Sequence, residues 1–484
     1  MEDIDKLLNN VLPLEDNQGA YEGLLGDLQC GILTGHRKPR ARHFFIRFRG
    51  DAASLRGLAL PDSLKEFQPT SEWAHRLALS QQGEQPRFGV TIMLSSKGYE
   101  KLGLEAPDDP AFRAGMAARG KLLNDSVPIA WERGYREEIH ALVVVAYGTR
   151  GAQTSAEDEK ALAELAEFID THAKLVWEED GMELRQGEGK QAYSIEPFGY
   201  RDDISQPVFY VSDLKARAAI EGRAADPKGG KWRSFEPLRV ALRKDPHGAG
   251  AVSCGSYFVF RKLRQDVEGF YAQAEKLAAS LNRKNDWAAV ADGFVGRQPD
   301  GTPLVDAPNL NDFDYRGASA AGCPAHAHVR KVNSRDPAYR AHEHRVARRG
   351  IPYGPELKRD EKGRPVRAKG RLQFKNKAQR KADVGLLFMC AQGSIEEQFE
   401  HLQRRWSNNT KGGADAINGQ LPDGQEHQIA IAYKPPPGSK AKELFSRGLD
   451  QTLKPVVELR GGEYFFAPSL SFLHGLTRKL LQEV

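Results

Sequence analysis

Apolar positions along this 484-residue chain fall into two kinds of block. Some are short runs rich in aromatic and β-branched residues, the mark of buried strands. In the first half these are LLGDLQCGILTGH, HFFIRFRG (43–50), FGVTIMLSS (88–96) and IHALVVVAYG (139–148). Others repeat every three or four residues, as one face of a helix does. TSAEDEKALAELAEFID sets Leu162, Leu165, Ala166 and Ile169 on one face and opens with a capping pair, Ser155 and Asp158. The second half repeats the theme. GSYFVFRKL (255–263) predicts a strand running into an amphipathic helix, RQDVEGFYAQAEKLAASL, and VGLLFMCAQ (384–392) predicts another strand. Ser394 and Glu397 then form a capping box before a helix with Ile395, Phe399, Leu402 and Trp406 on one face, and HQIAIAY (427–433) resumes sheet. Strands alternating with amphipathic helices predict antiparallel sheets with helices packed on one face, an α+β class.

The length exceeds what one core accommodates, so two domains are expected. Gly and Pro interrupt both periodicities in KDPHGAG (244–250), which divides the chain into 1–245 and 246–484. Within the second part, residues 356–383 carry eleven Lys or Arg against four acids and predict a solvated basic insertion, or a docking patch for an anion. Hydrophobic content of 40% with 28% charged residues describes a chain able to bury a large core. A net charge of +5 is too dilute for a dedicated nucleic-acid binder, and nucleic acid is not expected as a partner. No run approaches a membrane span, and the start MEDIDKLLNN lacks the basic and apolar regions of a signal peptide, so a cytoplasmic protein is expected. Cys30, Cys254, Cys323 and Cys390 form no CxxC or CxxCH, which removes zinc-ribbon and covalently attached haem readings.

Candidate chemistry concentrates in GCPAHAHVRKVNSRDPAYRAHEHRVARRGIPYGP (322–355). It places His326, His328, His342 and His344 among Arg330, Arg335, Arg340, Arg345, Arg348 and Arg349, so metal ligands stand beside cations suited to carboxylates. Haem needs both. The two HxH pairs also admit a non-haem metal, and Cys323 a thiolate ligand, although neither pair has a separately spaced carboxylate motif.

CPAHAHVRKVNSR, followed about twenty residues on by RRGIPYGP, resembles the proximal-histidine and distal-arginine segments of the dye-decolorizing peroxidase family. GYRDDISQP (199–207) resembles that family's GxxDG loop, and SYFVFRKLRQDVEGF, GLLFMCAQGSIEEQFEHLQRRW and GGEYFFAPSL are similar to its C-terminal half. The resemblance implies two ferredoxin-like α+β domains of the dimeric α+β barrel type. It also implies haem b as cofactor, hydrogen peroxide as oxidant and bulky aromatic donors such as dyes and phenols.

Carried over residue by residue, it makes His328 the iron ligand and Asp202 the group that moves a proton across peroxide, a task for which the carboxylate starts ionised. Arg349 becomes the cation that stabilises charge as the O–O bond breaks. Arg335 and Arg330 would meet the haem propionates, and Leu386 and Phe388 would line the distal pocket. The ligand histidine should donate its other ring N–H to a carboxylate, which the sequence does not identify. Asp203 stands where the family pattern has glycine, which predicts a backbone at positive φ. Tyr339, Tyr353 and Trp406 are candidates to relay electrons from donors too large for the pocket. A haem-binding protein that releases iron is the alternative reading, and a homo-oligomer is compatible with either.

Overall fold

The computed structural model describes residues 4–11, 14, 18–49, 62–80, 86–187, 189–221, 235–282, 284–307, 309–315, 322–335, 342–354, 357–358, 360–361, 366–368, 371–373, 383–421, 427–430 and 450–482. Eight strands make the body of one antiparallel sheet. The first half supplies β1 (Arg40–Arg47), β2 (Gly89–Leu94), β3 (Ala141–Tyr147) and β4 (Lys174–Met182). The second supplies β5 (Cys254–Gln265), β6 (Ile351–Tyr353), β7 (Gly385–Gln392) and β8 (Val457–Ala467). Their order in space is β6-β7-β5-β8-β2-β3-β1-β4.

Each set of four has the same internal order, second-third-first-fourth. Helix α1 (Glu72–Ser80) lies between β1 and β2 in the chain, and α2 (Ala156–His172) between β3 and β4. In the second half, α3 (Val267–Ser280) and α4 (Trp287–Val295) follow β5, and a π-wound helix, Ile395–Glu400 continuing as Leu402–Ser407, follows β7. This is the βαββαβ ferredoxin-like arrangement, present twice. The halves join where Phe466 of β8 pairs with Leu94 of β2. One apolar core runs through both, from Phe44 and Phe45 to Phe258, Phe260 and Phe466. The outermost strands also meet: a Cβ added at Gly181 of β4 would lie 2.2 Å from Ile351 Cγ2 of β6. The sheet therefore curls into a barrel.

Local expectations fare unevenly. Ser155 and Ser394 do cap their helices, accepting from Asp158 N at 3.0 Å and Glu397 N at 3.3 Å. In return Ser394 N donates to Gln398 Oε1 at 2.8 Å instead of to Glu397, one residue further along because the helix is π-wound. The stretch LLGDLQCGILTGH is not a strand: its LLGD ends the helix Gln18–Asp27, and turns and bends follow. Tyr21, Leu24, Leu25 and Leu28 recur every three or four residues and are all buried, so the helical period won. Of HQIAIAY, His427–Ala430 is a strand and the rest lies outside the described residues. No helix among the described residues is long and apolar enough to cross a membrane.

Closure of the barrel can be tested at its tightest point. Gly181→Val should lower stability by about 1–3 kcal/mol through overpacking against Ile351, read as a fall in denaturation midpoint at unchanged m.

Candidate active site

A cavity of about 760 Å³ opens between the halves, within the size range of small-molecule and cofactor sites. Its walls come from the 194–207 loop, the short helix His328–Val332, the face of β7 and the π-wound helix. A second apolar cluster builds the wall from beneath: Phe198 and Tyr200 pack among Phe270, Tyr271, Ala274 and Phe294 of α3 and α4. Tyr271 OH donates to Phe198 O at 2.5 Å, and Tyr200 OH to Asp292 Oδ1 at 2.9 Å. The loop belongs to the first half of the chain but is anchored in the second.

His328 begins its short helix and lines the cavity. Its Nδ1 lies 2.9 Å from Oδ2 of Asp415, a carboxylate with no solvent exposure. Asp415 is held in turn by the backbone N–H groups of Ile417 at 2.8 Å and Asn418 at 3.2 Å. Burial alone would lower the His328 pKa, but the charge and hydrogen bond of Asp415 outweigh it and the net shift is upward. Burial would raise that of Asp415, and His328 with the two N–H donors brings it below the usual carboxylate range. Asp415 is the carboxylate partner that spacing alone could not identify, 87 residues from its histidine.

His326 stands apart. It is buried against Phe294, outside the cavity lining, with burial taking its pKa down to about 3. His344 is stacked on His401 at 3.6 Å, and His342 sits beside Glu343. Cys323 is buried with its thiol pushed up to about 12, and it too lies outside the cavity lining.

Asp202 faces the cavity from the 199–207 loop. Glu196 shapes this loop, accepting from Tyr200 N and Phe198 N at 2.9 Å each and from Gln265 Nε2 at 2.7 Å. Asp203 has φ +60, the left-handed conformation its place in the glycine position predicts, and its N–H donates to Asp202 Oδ1 at 2.7 Å.

The two adjacent arginines diverge, although both border the cavity. Arg348 pairs with Cys390 across the sheet edge and so shares a face with Leu386 and Phe388. It donates to Asp202 Oδ1 at 3.1 Å. Arg349 points to the other face, where its guanidinium donates to Gly31 O at 2.9 Å, Ile32 O at 2.5 Å and Leu33 O at 2.7 Å. Leu386 and Phe388 line the cavity as expected of them. Arg335 also lines it, but its guanidinium already serves Asn311, Phe313 O and Ser205 Oγ. Arg330 turns to Cys323 O and the Tyr315 ring and is not part of the wall.

The comparisons with known proteins converge. Residues 245–422 match the family model for the C-terminal part of Dyp-type peroxidases. The chain is 32% identical to the multifunctional dye peroxidase DyP2 of Amycolatopsis sp., over 97% of its own length and 99% of that protein's. The chain belongs to the dye-decolorizing peroxidase family. It is a haem-dependent peroxidase by that membership. The crystal structure of a DyP-type peroxidase from Anabaena sp. superposes with a TM-score of 0.79 at 29% identity, covering 98% of this chain and 99% of that one. The dye-decolorizing peroxidase msp1 of Mycetinis scorodonius is 28% identical over 92% of this chain and 86% of its own. These relatives are named as peroxidases, which favours the enzyme over the iron-releasing alternative.

The Asp203 turn is open to a direct test that separates backbone strain from charge. Asp203→Val should cost about 1–2 kcal/mol, since a β-branched residue resists the left-handed region, whereas Asp203→Gly should cost nothing. Thermal melts of the two variants decide it.

Proposed function

We propose that this protein binds haem b through His328, reduces hydrogen peroxide at it and oxidises bulky aromatic donors such as dyes and phenols. The observation that carries the reading is the His328–Asp415 pair at the wall of the cavity. With Nδ1 committed to a buried carboxylate, Nε2 is the ring nitrogen left to hold iron, as orienting carboxylates do for metal-bound histidines. The surrounding residues fit a porphyrin: Leu386, Phe388, Val332 and Ile417 give apolar wall, and Arg335 gives a fixed positive charge suited to a propionate. On this reading residues 1–245 bring the Asp202 loop and residues 246–484 hold the haem.

A bound haem supplies the redox-active iron at which peroxide is reduced and donors are oxidised. The remaining work belongs to the chain. Asp202 takes the proton from one oxygen of peroxide and returns it to the departing oxygen as water forms. Arg348, hydrogen-bonded to Asp202 and to Ile204 O, holds that carboxylate in place and supplies the positive charge that steadies the departing oxygen. We assign this role to Arg348 in place of Arg349, whose cation is spent on the carbonyls of residues 31–33.

Large donors do not fit beside peroxide in such a pocket and need a relay. Tyr353 is buried, with its OH donating to Asp383 Oδ1 at 2.9 Å and Lys262 over its ring at 4.8 Å. Trp406 is half-buried on the helix whose Leu402, Gln403 and Ser407 line the cavity, with His344 and His401 edge-on to its indole. Both are therefore placed beside elements that reach the site. Tyr339 lies outside the described residues.

Four measurements test this. In His328→Ala, bound haem per chain, read from the Soret band, should be largely lost. Asp415→Asn should weaken haem affinity by about 10–100-fold, the usual effect of removing an orienting partner. Asp202→Asn and Arg348→Leu should retain haem yet slow the reaction with peroxide by roughly 10²–10⁴, while Arg349→Leu changes that rate far less and instead lowers stability. A slow Arg349→Leu beside a fast Arg348→Leu reverses the assignment. For the relay, Tyr353→Phe or Trp406→Phe should depress turnover of a bulky dye with the peroxide reaction intact, and unchanged dye turnover in both would show that donors use another route.

A further inference from the structure

The cavity extends beyond the pocket between His328 and Asp202, onto the opposite face of β7. Leu386 and Phe388 share a face with Arg348, whereas Met389, also in the cavity wall, shares the other face with Arg349 and Ile351. Across the barrel interior, Ala41, His43, Thr91, Met93, Val144 and Ala146 complete the wall of this second chamber. Their cross-strand register, Ala41 with Ala146 and His43 with Val144 with Thr91, puts them on one face of the β1–β3 sheet. The lining is mostly apolar.

Its rim is cationic. Arg37, Lys38, Arg40 and Arg150 border the cavity where the chain enters β1. Two of these charges are already answered, Arg37 by Asp213 at 2.8 Å and Arg150 by Glu183 at 2.9 Å. Lys38 and Arg40 are half-buried and have no ion-pair or side-chain hydrogen-bond partner among the described residues. Asp158, the carboxylate among the described residues whose field reaches Lys38, is itself bonded to Arg87 at 2.8 Å. Deeper in the wall, His36 is held neutral, its pKa driven to about 3 by burial first and then by the charges of His75, Arg349 and Lys38. Positive potential therefore gathers at one end of an apolar chamber. A half-buried cation without a partner is costly, and an anionic ligand removes that cost.

We propose that this chamber is a binding site for small aromatic carboxylates, separated from the peroxide pocket by the thickness of β7. The carboxylate meets Lys38, and the ring lies against Ala41, Met93, Val144 and Ala146; Arg40, one residue before Ala41, turns with Arg42 to the other face of β1. The charge of the rim selects an anion over its neutral isostere. The binding claim does not depend on the peroxidase reading.

The test uses the full chain loaded with haem and benzoate as probe, with binding followed by calorimetry. Benzoate should bind with one-to-one stoichiometry. Benzamide, and benzoate on the Lys38→Gln variant, should bind about tenfold or more weakly, as expected for a lost charge-assisted hydrogen bond. Ala146→Trp, which fills the chamber, should abolish binding, and the rim variant decides the matter if that substitution fails to fold. Benzoate should still bind His328→Ala without haem, and should leave the haem spectrum and peroxide rate of the unsubstituted protein unchanged. The proposal is overturned if benzoate does not bind, if the rim substitution leaves its affinity intact, or if it shifts the haem spectrum and competes with peroxide.

Discussion

A β-strand sends consecutive side chains to opposite faces, and at Arg348 and Arg349 this single constraint decides which guanidinium meets Asp202. The edge of the sheet runs from Arg348 opposite Cys390 to Tyr353 opposite Gly385 in one unbroken register. Arg348 must then share its face with Leu386 and Phe388, and Arg349 must not. A slip of one residue would exchange the two guanidinium groups, placing the carbonyl-bound arginine over the pocket and the Asp202-bound one inside the barrel. Gly350, opposite Phe388, helps to hold the strands close: a Cβ there would come within 3.0 Å of Leu387 O. The same alternation splits the cavity into chambers on either side of β7.

Two enclosed carboxyl groups then position what the sheet presents, by different balances. At Asp415 the imidazole and two backbone N–H donors overcome burial, so the group stays charged and holds His328 in the tautomer with its proton on Nδ1. At Glu196 three donors do not overcome it, and burial raises the pKa to about 7. Glu196 folds the 196–202 turn and ties it to Gln265 at the end of β5, which makes it a positioning residue for Asp202. The loop from one half and the sheet from the other are joined through this carboxyl group.

The repeated strand and helix pattern was legible because burial on one face writes a period into the sequence: IHALVVVAYG and GSYFVFRKL contain β3 and part of β5. LLGDLQ misled because a short apolar run bounded by glycines satisfies both periods. At the site, His328, Asp202, Leu386 and Phe388 could be named from local motifs and are brought to one cavity. Asp415 could not, since the pairing spans 87 residues and GGADAING carries no signal beyond a turn. Nor could Arg348 be told from Arg349, because a double arginine has no internal phase. That phase comes only from the partner strand, and counting outward from Leu386 and Phe388 supplies it once the pairing is known.

Both halves use the same strand order, yet the cavity lies mainly against one of them, and burial shows why. In the first half β3 is buried along its whole length, with α2 pressing Leu162, Leu165 and Ile169 into the core. In the second, the equivalent strand β7 alternates at its start, with Leu386 and Phe388 only half-buried. The short helix His328–Val332 and the Asp202 loop from the first half stand off from that face instead of lying on it. Apolar surface withheld from a core forgoes roughly 25 cal/mol per Å². A porphyrin bound in that cavity would recover part of that energy, with His328 to hold it and Asp202 and Arg348 close by to handle the proton and the charge. The half of the duplicated fold that leaves its sheet uncovered is thus the half suited to take a cofactor as part of its core.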